Sequence, residues 1–479
     1  MSNINKEKQE SLINLINQLE ELKKSDINKN LINQIKCKLN QIFMCVLKQK
    51  ITNYANIYSN LQKLLDILYD FIVKHNKNIN FCILEEVYFL FSNLKSEEIL
   101  NYLYSTKFNL NKDGLKLNIF EILILINFDA KEEQCINTQA NLMKSLLLKI
   151  NETNISNFYD NEINSFPLLN RSLFLYDNQE DMVRNIVKNN ILLITKINNN
   201  SLRCYLTSFP IALYYPNIIY KFKDVISQLS YAESKNDNIY TYLEEKHEEI
   251  YDTILYLNDI LLCEIKNINF VLINCLLNEI IFPLLNIIIS NTNSKISIFH
   301  SFYLLSLFIF YLKNEFIVDL ISFFLFQEQI PSNLLEKIKQ CKYKDNGVQF
   351  MSDINSLIKN IDADINDKEW KRNADFIKKD IGIDLYTGIV EKDNIFHYFN
   401  DYLSNIKNKR LNYIQNDIFK NLNKLLASKD DNKFLSVVIL LFNEIYYYFN
   451  YFKNYNDNKD DEIGNETFGK NSIRNIEIK

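Results

Sequence analysis

Glycine and proline are almost missing from this chain, with six and five residues respectively among 479. All-β folds spend these residues at every reversal, and α/β enzymes spend glycine on phosphate-binding loops, so the count argues against both classes. Paired metal-ligand spacings are missing too. Cys37, Cys45, Cys82, Cys135, Cys204, Cys263, Cys275 and Cys341 are scattered, and His75, His247, His300 and His397 stand alone, whereas zinc needs four convergent ligands. No Walker A loop, dinucleotide loop, nucleophile elbow or metalloprotease helix occurs. The expectation is therefore a chain that is not an enzyme, with no catalytic residue, no cofactor and no metal. A net charge of −5, from 54 basic and 59 acidic residues, argues against general affinity for nucleic acid. Lys6, Glu7, Lys8 and Glu10 precede any apolar run, so no secretory signal is expected. A cytoplasmic setting would keep the cysteines reduced.

What the chain does contain is helical periodicity. Leu12, Leu15, Ile16, Leu19 and Leu22 share one helix face, and Leu31, Ile35, Leu39, Ile42 and Leu47 share another. They form either a hairpin capping a stack, the reading favoured here, or a coiled-coil arm. Helices are predicted around Leu61 to Ile72, Ile83 to Phe91, Ile99 to Tyr104 and Leu115 to Ile126, and again over Ile218 to Leu229. Pro210 and Pro216 allow only short helical pieces between them. The fold class that follows is all-α, a degenerate armadillo/HEAT-like α-solenoid of stacked helical hairpins. The apolar runs Ile296 to Leu312 and Phe316 to Phe326 are short for membrane spans and hold Ser297, His300, Ser301, Ser306 and Asp319. They read as buried solenoid helices, with no transmembrane segment expected; peripheral membrane docking is compatible with them. Four regions result: an N-terminal helical cap over 1–52, the solenoid over 53–330, a polar segment with further helices over 331–453, among them an apolar one from Phe434 to Phe452, and a disordered acidic tail over 454–479.

The most informative stretch runs from residue 166 to 197. Phe166-Pro167-Leu168 opens a short helix with proline in its first turn. Asp177 or Asn178 is placed to cap a second helix, in which Met182, Val183, Ile186, Val187 and Ile194 form one stripe. Arg184 stands four residues after Glu180, at the spacing of a helix-surface ion pair. A second block runs Tyr256-Leu257-Asn258-Asp259 and then, after Leu276 to Ile281, Phe282-Pro283-Leu284. A third, weaker block is Asn127-Phe128-Asp129 with Glu132-Glu133 and Leu146 to Ile150. Asn258 and Asp259 either face solvent or tie neighbouring helices, since an unsatisfied buried polar group costs about 1–3 kcal/mol. Glu244, Glu245, Glu248 and Glu249 form an acidic run, read as a solvated face with a basic partner as the functional alternative.

In their order and spacing these blocks, over roughly residues 60–330, resemble the FPL-domain family, that of C-type lectin domain family 16 member A and its relatives. Where the family tends to have an Asn-His-Pro turn, this chain has Asp177-Asn178-Gln179. What the resemblance implies is a scaffold in endosome, lysosome or Golgi membrane trafficking and autophagy. Its implied partners are Rab-type GTPases or vesicle-associated proteins, and it would be cytoplasmic or peripheral on those membranes. The signature residues Phe166, Pro167, Leu168, Met182, Val183, Arg184, Tyr256, Leu257, Asn258, Asp259, Phe282, Pro283 and Leu284 would be structural or partner-binding. Two rivals stand beside this reading: a binding component of a ubiquitin ligase, and a nucleic-acid-associated helical-repeat protein.

Overall fold

A computed structural model of the chain describes residues 2–24, 29–48, 54–74, 77–109, 116–128, 132–161, 165–208, 211–232, 239–290, 296, 298–312, 314–326 and 332–340. Residues 233–238 and the regions predicted beyond 340 lie outside these residues. The chain divides into two compact units, the second beginning at Leu206.

Hydrophobic stripes drive the pairing of helices in the first unit. Leu12, Ile16 and Leu19 of α1 (Ser2–Glu21) and Leu31, Ile35, Leu39 and Ile42 of α2 (Lys29–Lys48) are all buried, with these two helices packed as a hairpin. The motif recurs in α3 (Tyr54–Lys74) with α4 (Lys77–Asn93), α6 (Ile119–Leu125) with α7 (Glu133–Leu147), and α8 (Pro167–Leu175) with α9 (Asp181–Thr195). Successive hairpins stack in register. In one layer, Lys63 of α3 reaches Asn17 and Glu20 of α1, and Lys23, just after α1, reaches Asp70 of α3 at 2.6 Å. In the other, Lys36 and Asn40 of α2 meet Glu85 and Glu86 of α4. Asn137 and Ala140 of α7 likewise meet Met182 and Asn190 of α9. Corresponding helices thus run parallel, as a solenoid requires.

Between α4 and α6 an insertion departs from the predicted pattern. It comprises α5 (Glu97–Ser105) and an antiparallel pair, β1 (Lys107–Asn109) with β2 (Lys116–Asn118). The helix expected from Leu115 therefore starts only at Ile119. Asn118 and Glu121 form a reciprocal capping box there, and this ends the strand and starts α6. Tyr58 stacks on Tyr102 and Tyr69 on Phe108, which lays the insertion against α3.

In the second unit α11 (Tyr214–Ala232) follows a 3₁₀ turn at Ile211–Leu213, so Pro216 sits in a first helical turn as its chemistry demands. α12 (Ile239–Leu261) returns along α11, and α15 (Ile298–Tyr311) runs beside α12 through His247–Tyr303 and Tyr251–Tyr311 ring contacts. α13 (Lys266–Leu276), a π turn (Leu277–Ile281) and α14 (Phe282–Ser290) form one unbroken helix against α11. α10 (Asn200–Leu206), α16 (Glu315–Phe326) and α17 (Ser332–Gln340) complete the described elements. The runs at 296–312 and 316–326 are not what satisfies a membrane-span criterion. Among the described residues one helix, 266–289, is long and apolar enough by length and composition. Its most apolar window is 78% buried within the fold, the property of a core helix.

No glycine falls within the described residues. Glycine is the usual residue for turning a helix off and shielding its last carbonyls. Side chains from later in the chain do that work here. Asn80 reaches the Ile72 carbonyl at the end of α3, and Lys149 reaches those of Phe91 and Leu94 at the end of α4. Asn269 reaches Leu261 at the end of α12. Just beyond α12, Glu264 takes φ 55°, the left-handed conformation that glycine would adopt without strain.

Candidate functional site

The 166–197 stretch folds around buried anchors. An Asp160–Ser165 bridge precedes Phe166, whose ring is wholly buried beside Tyr159. Pro167 occupies the first turn of α8, where its missing N–H costs nothing, and Leu168 is buried below it. Val183 is buried as well, whereas Met182 is 58% exposed. The second helix begins at Asp181, not after Asp177. Asn178 does not cap it: its side chain accepts from the Glu180 amide within the turn. Arg184 pairs with Asp181, not Glu180, and donates to the carbonyls of Asn178 and Gln179 at 2.7 Å. Glu180 faces the carboxyl of Glu133 instead, and desolvation and then that neighbour hold its own carboxyl above the ordinary range.

Beneath this corner lies a polar node that the sequence reading missed. Arg171, on α8, is buried. Its guanidinium donates to Gln139 Oε1 at 2.9 and 3.2 Å, to Asn127 Oδ1 at 2.9 Å and to the Ile126 carbonyl at 3.2 Å. Gln139 Nε2 in turn donates to the carbonyls of Leu123, Ile124 and Ile126. Burial lowers the Arg171 pKa to about 10. The partial negative charge at the end of α6 stabilises this cation. At the opposite end of α6, burial pushes the Glu121 carboxyl up to about 8, although it accepts a hydrogen bond from the Asn118 amide. A short buried helix thus has an acid at its start and a cation at its finish. The Asn118-x-x-Glu121 box was a readable signal, but a single Arg on an apolar face was not.

One exposed aromatic side chain lies against the node. The Phe174 ring, 44% exposed, lies under the Arg171 guanidinium at 4.8 Å. Leu125, the last residue of α6, and Met182, in the first turn of α9, are exposed too. Glu180 and Asp181 directly precede Met182, and Glu133 faces Glu180, so carboxylates accompany apolar area at the start of α9.

The remaining blocks belong to the second unit. The buried Tyr256 hydroxyl meets that of Tyr214 at 2.6 Å, and Leu257 is buried. Asn258 is buried, and Asp259 is exposed and faces solvent. Phe282, Pro283 and Leu284 are buried where the π turn becomes α14. The turn accommodates a proline that cannot donate to the carbonyl four residues back. Lys223 is also buried and paired with Glu279 at 2.6 Å, so it contributes to no basic face.

Among the described residues no group of three or more His, Cys, Asp or Glu is arranged to hold a metal. Burial raises the Cys82 thiol to about 12 and raises that of Cys275 too, opposite to what a nucleophile needs.

Residues 39–195 match the FPL family, described as an uncharacterised conserved protein; the match ends before the 256–284 blocks. The chain is 28% identical over 207 residues to the Protein CLEC16A homolog of Drosophila melanogaster, covering 42% of this chain and 18% of that one. It is 26% identical over 260 residues to Protein CLEC16A of Homo sapiens, covering 51% and 23%. Similarity to Protein TRANSPARENT TESTA 9 of Arabidopsis thaliana is 24% over 211 residues, covering 42% and 24%. The matched regions are thus less than a quarter of each relative's length, and none of these names is that of an enzyme. No solved structure matches.

Proposed function

The chain is an FPL-family protein over residues 39–195, and from that premise we propose that it is a non-catalytic docking scaffold in membrane trafficking and autophagy. Its partners in this reading are Rab-type GTPases or vesicle-associated proteins, met at the cytosolic face of endosomal, lysosomal or Golgi membranes. One observation carries the proposal. Phe166, Pro167, Leu168 and Val183 are buried, while Phe174 on α8 and Met182 on α9 are both exposed. A segment with only a structural task would bury Met182 as well, whereas a docking corner keeps apolar area exposed on a rigid stack.

The test is crosslinking and mass spectrometry of the tagged full chain against Phe174→Asp with Met182→Asp. Both residues are exposed, so melting should stay close to that of the parent. The expected result is recovery of GTPases or vesicle-tethering proteins by the parent and their loss in the variant. Identical recovery by a folded variant would overturn this docking site, and recovery of ubiquitin-ligase subunits alone would transfer the role to that rival.

A further inference from the structure

The second unit carries a surface that the docking corner does not use. Along α12, Glu245, Glu248, Glu249, Asp252 and Asp259 are all exposed, and the 3.6-residue turn places them on one strip. Lys246 neutralises Glu249 at 2.8 Å. The adjoining helix α15 has no Lys or Arg in its sequence. Where these helices meet, Tyr251 packs edge-on against Tyr311 at 4.8 Å, and Tyr311 against Phe310 at 4.5 Å. This aromatic group is not sealed, with Phe310 53% and Tyr251 39% exposed.

Exposed rings are unfavourable in water, and a face bordered by several carboxylates repels an acidic partner or an anionic membrane. Lysine and arginine suit both features at once. Their aliphatic stems cover aromatic rings, their heads are attracted to ring faces, and carboxylates complete the contact. We propose that the α12–α15 seam docks a Lys/Arg-rich segment of a partner protein, with Phe310 and Tyr251 holding apolar stems and Glu248 and Asp252 holding the cationic heads. Charge complementarity chooses this occupant: the strip supplies acid, and no described residue of α15 opposes it.

Fluorescence anisotropy of the full chain with a labelled peptide of repeating Lys-Lys-Leu-Leu tests the proposal. A Glu-Glu-Leu-Leu peptide and phosphatidylserine vesicles serve as comparisons. The lysine peptide should bind saturably and more weakly as salt rises, while the glutamate peptide and vesicles should not bind. Phe310→Ser should weaken binding about fivefold. Glu248→Lys with Asp252→Lys should remove it, while Glu21→Lys with Glu152→Lys, an equal charge change elsewhere, should retain most of it. All these residues are exposed, and unchanged melting confirms that each variant folds. Absence of saturable binding by the parent overturns the proposal, as does equal weakening by both charge-reversed pairs. Vesicle retention that is lost in Phe310→Ser overturns it in favour of a membrane.

Discussion

Arg171 and Gln139 meet at 2.9 Å inside the first unit, and together they satisfy the final carbonyls of α6. Their positions in the sequence are 32 residues apart, so α8 and α7 must both be docked for α6 to end properly.

Arg171→Met should therefore be strongly destabilising although it substitutes an apolar residue in a buried place. Gln139, Asn127 and the Ile126 carbonyl would each lose a donor, and the expected cost is about 2–3 kcal/mol in urea unfolding. Arg171→Lys should recover only part of it, since a lysine lacks the planar fork that reaches these acceptors together.

Glu121 predicts a dependence on pH. Its folded pKa of about 8 lies above the ordinary value of 4.5. Between those values the unfolded chain has released this proton and the folded chain retains it, so stability falls as pH rises. The contribution is complete below about pH 4.5 and is lost by about pH 8. Urea unfolding of Glu121→Gln across this window should show a flatter profile than the parent. An equally steep decline would assign the effect to other groups.

Glu264→Gly should stabilise the second unit by about 0.5–1 kcal/mol, because glycine takes the left-handed conformation without a side-chain clash and loses some of that gain to its unfolded entropy. Thermal unfolding measures it. Glu264→Ala should give no such gain, since alanine keeps the clashing Cβ.

These sites separate what was legible in the sequence from what was not. Leu12, Ile16, Leu19, Leu31, Ile35 and Leu39 declared their helix faces because burial follows a local period. Pro167 declared a helix start because its ring permits few alternatives. The run Leu115 to Ile126 misled because apolar density does not distinguish a short strand from a helix, and only the Asn118–Glu121 box marks the change. Arg184 had carboxylates both three and four residues before it, so spacing could not choose between them. Arg171 was illegible because its acceptors lie at 126, 127 and 139, and only the docking of three helices gathers them.

The carbonyls that close α3, α4, α6 and α12 are held by donors that come later in the chain: Asn80, Lys149, Gln139 with Arg171, and Asn269. A chain emerging from the ribosome therefore leaves each of these helix ends facing water until its donor has been synthesised, 8 residues later for α3 but more than 50 for α4. Nascent chains halted between Leu94 and Lys149 are where a chaperone has the longest opportunity to engage.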